Sequence, residues 1–217
     1  MSLTDELVLW THEQKCQKAV DSLVKNGFGA VYCATPQEAF DCIIREAADA
    51  ASVGFGGSMS ITGLGVEPRL REQGKEILNH ADPALSRDER IGIMRRQLTC
   101  DLFLSGTNAL TLSGELVNID ATGNRVAAMF FGPRKVIVVA GRNKLVDGSP
   151  HDAVRRVKNW ATPPNAKRLN FKTPCAVTGF CSDCTSPDRL CRVTTIIDRK
   201  PRFTDVIVIV VNADLGF

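Results

Sequence analysis

The sequence predicts an α/β fold with a mostly parallel sheet flanked by helices. Three observations predict it. Strand and helix signals alternate along the chain, and helices of this length between strands imply right-handed crossovers. Val136–Val139 is apolar on both faces, as in a strand covered on both sides. The chain has 217 residues, 44% apolar and 24% charged, enough to bury one large soluble core without disulfides.

The elements follow in order. Thr4 is placed to cap a first helix carrying Cys16, Val20, Leu23 and Val24 at helical spacing, and Asn26-Gly27 ends it. Gly29–Ala34 reads as a strand. Thr35-Pro36-Gln37-Glu38 is a capping box with proline at the first helical position, ahead of Phe40, Ile43, Ile44 and Ala47 on one face. Ala51–Phe55 is a strand that runs into a glycine-rich loop, Gly54–Gly65. A helix follows at about Val66–Gly74 and a short strand at Glu76–His80. Ser86-Arg87-Asp88-Glu89 is a second capping box, with Ile91, Met94 and Leu98 behind it. Cys100–Ser105 reads as a strand, and Leu110–Leu112 and Glu115–Ile119 as a hairpin about Ser113-Gly114. Asn124–Phe131 is a helix, Lys135–Ala140 a strand, and Ser149–Trp160 a helix with Pro150 in its first turn. Composition changes after Pro163-Pro164. From Phe171 to Pro201 the chain is rich in Cys, Pro, Thr and Asp, and Asp205–Val211 then returns as a strand. One domain spanning 1–217 is expected, with a cysteine-rich metal-binding segment at about 171–203.

Charge and length exclude several classes. The 27 basic and 24 acidic residues give a net +3, too mild a balance for a nucleic-acid or acidic-membrane binder. The longest apolar runs, Val126–Phe131 and Val206–Val211, are far short of the roughly 20 residues of a membrane helix. The N-terminal stretch carries early acids and no apolar core of signal-peptide length, so a cytoplasmic location is expected. In that compartment cysteines serve as metal ligands or buried thiols rather than disulfides.

Cys175, Cys181, Cys184 and Cys191 stand at C-x5-C-x2-C-x6-C spacing, with Pro174, Gly179 and Pro187 supplying turns. Four thiolates this close in sequence can converge on one centre. A four-iron–four-sulfur cluster takes one thiolate per iron, and zinc takes four tetrahedrally. The spacing is neither the paired-knuckle zinc pattern nor the ferredoxin run; the remaining reading is four separate buried thiols. Cys16, Cys33, Cys42 and Cys100 are scattered in helices and strands, where cysteine packs as a small apolar residue.

Three polar signatures follow strands, where parallel sheets hold ligands. In the first, Gly54, Gly56, Gly57 and Ser58 can cradle an anion on backbone amides, or form only a tight turn. In the second, Gly106, Thr107 and Asn108 precede Asp120 and then Gly123, Asn124 and Arg125. Asp120 suits a general base and Arg125 an anion partner, although the same residues also serve turns and caps. The third is Lys144, at the same sheet edge or in a solvated loop. His12, His80 and His151 have no clustered ligands and read as structural or exposed.

The stretch GTNALTLSGELVNIDATGNRVAAMFFGPRKVIVVAGRNKLV, with NAKRL, TPCAVTGFCSDC and the closing DLGF, resembles the LUD domain of the lactate-utilisation protein family. Bacterial members include the small third subunit of a three-protein L-lactate oxidation system, and the four cysteines resemble those of one branch. The resemblance implies a fold similar to ribose-5-phosphate isomerase, glucosamine-6-phosphate deaminase and CoA-transferases. In those proteins a glycine-rich loop after an early strand holds phosphate or CoA, and a lysine precedes an aliphatic pair after a later strand, as Lys144-Leu145-Val146 does. The isomerases carry an acid before that lysine, where this chain has Gly141-Arg142-Asn143.

Two functions follow. One is an enzyme of lactate or related organic-acid metabolism acting on a small anionic metabolite. Asp120 would take a proton, Lys144 would offset negative charge, and Glu115 would serve as acid or covalent nucleophile, as in CoA-transferases. The other is a redox or assembly subunit whose iron–sulfur cluster serves the subunits of an oxidoreductase complex, with zinc as the alternative metal. Folds of this class often pair, so a homodimer is expected.

Overall fold

The computed structural model describes residues 2–217. Ser2, not Thr4, caps the first helix, α1 (Leu3–Lys25), because it and Asp5 close a reciprocal capping box. The other elements are β1 (Gly29–Cys33), α2 (Pro36–Glu46), β2 (Ser52–Phe55), α3 (Met59–Leu64), α4 (Val66–Glu72), β3 (Glu76–Asn79), α5 (Arg87–Arg96), β4 (Leu102–Gly106), β5 (Ala109–Thr111), β6 (Leu116–Asp120), α6 (Asn124–Phe130), β7 (Lys135–Gly141), β8 (Leu145–Val146), α7 (Pro150–Arg156), α8 (Thr162–Arg168), α9 (Pro174–Thr178), β9 (Val193–Ile197) and β10 (Asp205–Val211).

Six strands form one parallel sheet in the order β1-β10-β7-β4-β2-β3. Alternating side chains of its central strands enter two different cores. Val136, Val138, Ala140, Val206, Val208 and Val210 pack with Cys16, Ala19 and Leu23 of α1 and with Ala128 and Met129 of α6. Ile137, Val139, Ile209 and Val211 pack with Ala39 and Ile43 of α2, Ile61 of α3 and Leu70 of α4. The sheet is thus covered on both faces, which is why its central strands are apolar throughout. Cys16, Cys33, Cys42 and Cys100 are all buried in these cores, and burial pushes the Cys16, Cys33 and Cys100 thiols up to about 11. They pack as inert apolar groups.

The predicted hairpin is part of a second, four-stranded mixed sheet, β8-β5-β6-β9, which the sequence did not suggest. β9 lies inside the segment rich in Cys, Pro, Thr and Asp and pairs antiparallel with β6, from Leu116↔Ile197 to Asp120↔Val193. The Ser149–Trp160 helix also differs from expectation. α7 passes through a π-helical turn at Val157–Ala161 into α8, so Pro163 and Pro164 do not end it. They occupy the first turn of α8, where a missing N–H leaves no bond unmade. Ala153, Val157 and Ala161 of this helical run pack on Ala109 and Val117 of the small sheet. Among the described residues, no helix is long and apolar enough to cross a membrane.

Candidate functional site

The carboxyl ends of β2, β4, β6 and β7 open on one cleft of about 470 Å³. Sequence-distant residues meet there: Gly56, Gly57 and Ser58 after β2, Thr107 and Asn108 after β4, Asp120, Asn124 and Arg125 at the β6–α6 junction, and Lys144 after β7. This is the edge at which parallel sheets gather ligands. The approach is close. A Cβ on Gly106 would lie 2.6 Å from Ser58 Oγ and 3.5 Å from Lys144 Nζ, so only glycine lets these groups share the space. Gly57 has φ +69°, a conformation that other residues adopt only with strain.

Lys144 is not a solvated loop residue; it is 4% exposed. Its Nζ donates to Ser60 Oγ at 2.7 Å, and Ser60 in turn donates to the Leu215 carbonyl at 3.0 Å. Burial lowers the Lys144 amine to about 7, with the Arg156 and Arg125 charges adding to the effect. Arg156 donates to the Asn108 and Asn143 carbonyls at 2.6 and 2.8 Å and so ties the loops after β4 and β7 together.

Asp120 and Arg125 have different work from that expected. Arg125 Nε and Nη2 donate to Asp120 Oδ1 at 2.9 and 2.6 Å. Its Nη1 donates to Asn118 Oδ1 at 2.7 Å and the Gly106 carbonyl at 3.2 Å, and Nη2 to Asn108 Oδ1 at 2.9 Å. These bonds engage all five guanidinium N–H groups, which leaves none for a ligand. Arg125 is therefore a clamp. It fixes Asn108 with its Oδ1 turned inward, where that oxygen also accepts from the Ile119 N–H at 3.0 Å. The Asp120 carboxylate is consumed in the same clamp and also accepts from the Val126 N–H at 3.2 Å, which caps α6. With both carboxylate oxygens already engaged by Arg125 and the Val126 N–H, Asp120 stands in this geometry as a positioning residue.

Three expected residues lie away from the cleft. Glu115 accepts from Thr111 and Ser113 in the β5–β6 turn, so the nucleophile reading has no geometric support. Gly54 sits inside β2 against Cys100 and Phe103, and Gly123 has φ +88° and caps α6. The cleft also holds residues the sequence did not mark. His80, Arg90, Arg168 and Phe171 line it. His80 Nδ1 lies 3.0 Å from Gln97 Nε2, which also donates to the Phe55 and Leu78 carbonyls at 2.8 Å. Burial lowers the His80 pKa. Arg90 Nε is buried and makes no hydrogen bond within the protein. An arginine after a capping box reads as a solvated helix residue in sequence, and only the packing of α5 on β3 aims this one inward.

The four clustered cysteines border one small cavity with Thr162, Thr173 and Arg189. Among the described residues, no three His, Cys, Asp or Glu side chains are grouped to hold a single metal ion. Thr162, Leu190 and Cys191 line both this cavity and the large cleft. The segment is stitched to the cleft wall, since Arg192 N–H donates to the Asp120 carbonyl at 3.0 Å.

A family model of the LUD domain matches residues 16–211. The chain belongs to the LUD domain family. The matched span contains every cleft-lining residue except Phe217, and all four clustered cysteines. Among solved structures, this LUD domain is similar to a DUF162 family protein from Deinococcus radiodurans. The two are 16% identical with a TM-score of 0.55, and the match covers 92% of this chain and 98% of the other. At that identity the likeness establishes the fold alone. No curated protein matches the chain.

Proposed function

We propose that this LUD domain binds a small organic-acid anion, lactate or a close relative, in the cleft at the sheet edge. One observation carries the reading. Arg90, Lys144 and Arg168 line the cleft, and its one acidic side chain among the described residues, Asp120, is already paired with Arg125. The cleft therefore presents uncompensated positive charge, with a volume suited to a metabolite. Asn108, clamped by its carbonyl oxygen, has its amide group to offer a carboxylate or hydroxyl.

The cysteine segment is read as the holder of a four-iron–four-sulfur cluster, with zinc as the alternative. Cys175, Cys181, Cys184 and Cys191 would be its ligands, and the cluster would supply one-electron chemistry beside the cleft. One observation supports a shared centre: all four thiols border one cavity. A four-iron cluster would take one thiolate per iron, and zinc would take all four on one ion. Cys191 borders the cleft, so an electron carrier there would stand next to the bound acid. This favours a subunit working in organic-acid oxidation over a purely structural role for the segment.

Thermal-shift measurement with lactate, its 2-oxo counterpart and phosphate esters tests the anion site. Stabilisation by hydroxy acids, lost in Arg90→Met, is expected. Equal response to any salt would refute the reading. Iron and sulfide analysis of anaerobically purified protein tests the cluster: about four of each per chain is expected, and stoichiometric zinc would replace it.

A further inference from the structure

We propose that Lys144 is a covalent site, its Nζ condensing with the carbonyl carbon of a 2-oxo acid held in the cleft. This rests on the reading of the cleft as an organic-acid site and names a second ligand class for it. In the step, the amine lone pair forms a C–N bond to the carbonyl carbon. The carbonyl oxygen leaves as water, and an imine remains on Lys144 with no change in oxidation state.

Four observations carry the proposal. First, the side chain is buried yet lines the cleft, so its nitrogen meets whatever the cleft holds. Second, its hydrogen-bond partner is a hydroxyl rather than a carboxylate. Ser60 Oγ accepts from Nζ at 2.7 Å while giving its own hydrogen to the Leu215 carbonyl, so it cannot protonate the amine. One N–H is fixed on Ser60, and Lys144 is also among the residues that line the cleft. Third, the charged groups acting on it are the guanidiniums of Arg156 on α7 and Arg125 on α6. The nearby carboxylate of Asp120 is tied to Arg125. Burial and like charges bring the amine down to about 7, so near neutral pH a large share of it is in the neutral, nucleophilic form and the rest keeps its charge, the usual device for activating a lysine toward carbonyls. Fourth, Arg90 and Arg168 line the same cleft and can hold the carboxylate of the acid while its carbonyl meets the amine. A 2-oxo acid is what oxidation of a 2-hydroxy acid yields, so the cleft would take the two redox partners differently: the hydroxy acid by charge alone, the oxo acid covalently.

The test is reductive trapping on the full chain. Wild-type protein is incubated with pyruvate and cyanoborohydride, digested and mapped by mass spectrometry, while calorimetry on the same sample measures pyruvate binding. The expected result is an adduct approaching one per chain on the peptide that carries Lys144, at least tenfold above any other lysine and absent in Lys144→Arg and Lys144→Met. Pyruvate binding without a Lys144 adduct would overturn the covalent site and leave the organic-acid reading standing. Neither binding nor adduct would overturn both. Labelling spread evenly over surface lysines would also overturn the covalent site.

Discussion

At the scale of the residue, Lys144 and Arg125 divide the work of the cleft. Lys144 is buried with its charge opposed by two guanidiniums, so it costs stability whenever it is protonated. The sign follows from linkage. The unfolded chain keeps the lysine proton to about 10.5 and the folded chain releases it near 7. The penalty is full below pH 7, and stability climbs as pH rises from 7 toward 10. Lys144→Met should therefore melt higher than wild type at pH 6, by a few kcal/mol of stability, and the gap should close by pH 10. Calorimetric melting across that range checks it; a gap constant with pH would contradict the burial account. Arg125→Ala should do the opposite. It strands Asp120 and Asn118 in a site where both partners of the ion pair are about one-tenth exposed, which costs about 3 kcal/mol. Urea unfolding would register it, and a loss below about 1 kcal/mol would mean the clamp is dispensable.

At the scale of the element, the cleft depends on helices whose placement is set by local chemistry. α5 begins with the reciprocal Ser86–Glu89 capping box, and this helix carries Arg90 and Met94 to the cleft. Ser86→Ala should lower stability by about 1 kcal/mol and weaken anion binding several-fold, while Ser86→Asp restores both. Paired melting and titration data would show it. The Ser86–Glu89 capping box, the Thr35 cap of α2, the paired apolar faces of β7 and β10 and the hairpin turn were legible in the sequence because each is a local signal, whereas the Ser2–Asp5 and Ser149–Asp152 boxes were not read. β8 and β9 were not. β8 has only two residues, and β9 has little buried surface of its own and exists through its pairing with β6. The helix end expected at Trp160 was missed too, because the π-helical turn at Val157–Ala161 carries the run on into α8, whose first turn takes both prolines.

At the scale of the whole molecule, the sheet edge and the cysteine segment form one assembly, joined by β9 on β6 and by the wall of Thr162, Leu190 and Cys191. The cleft residues on strand ends were legible, since strand order alone sends Gly56, Asn108 and Lys144 to one edge. Arg90, Arg168 and His80 were not, because a charged residue on a helix carries no mark of which way tertiary packing will turn it. The pairing of Asp120 with Arg125 was not legible for a similar reason: their mutual distance is a property of the fold. If the cysteines hold one centre, its binding energy is also folding energy for the segment from Phe171 to Pro201. Cys184→Ser should lose the metal and admit proteolysis there, while a cut pattern and metal content identical to wild type would refute the shared centre.

The most direct test of the cation-lined cleft is isothermal titration of L-lactate into wild type and Lys144→Met at pH 6.5. The variant removes the buried charge and is expected to be the more stable of the two, so a lost site cannot be laid to unfolding. The account predicts saturable one-site binding to wild type and at least tenfold weaker binding to Lys144→Met. Equal affinity in the two proteins, or no saturable binding to wild type, would contradict it.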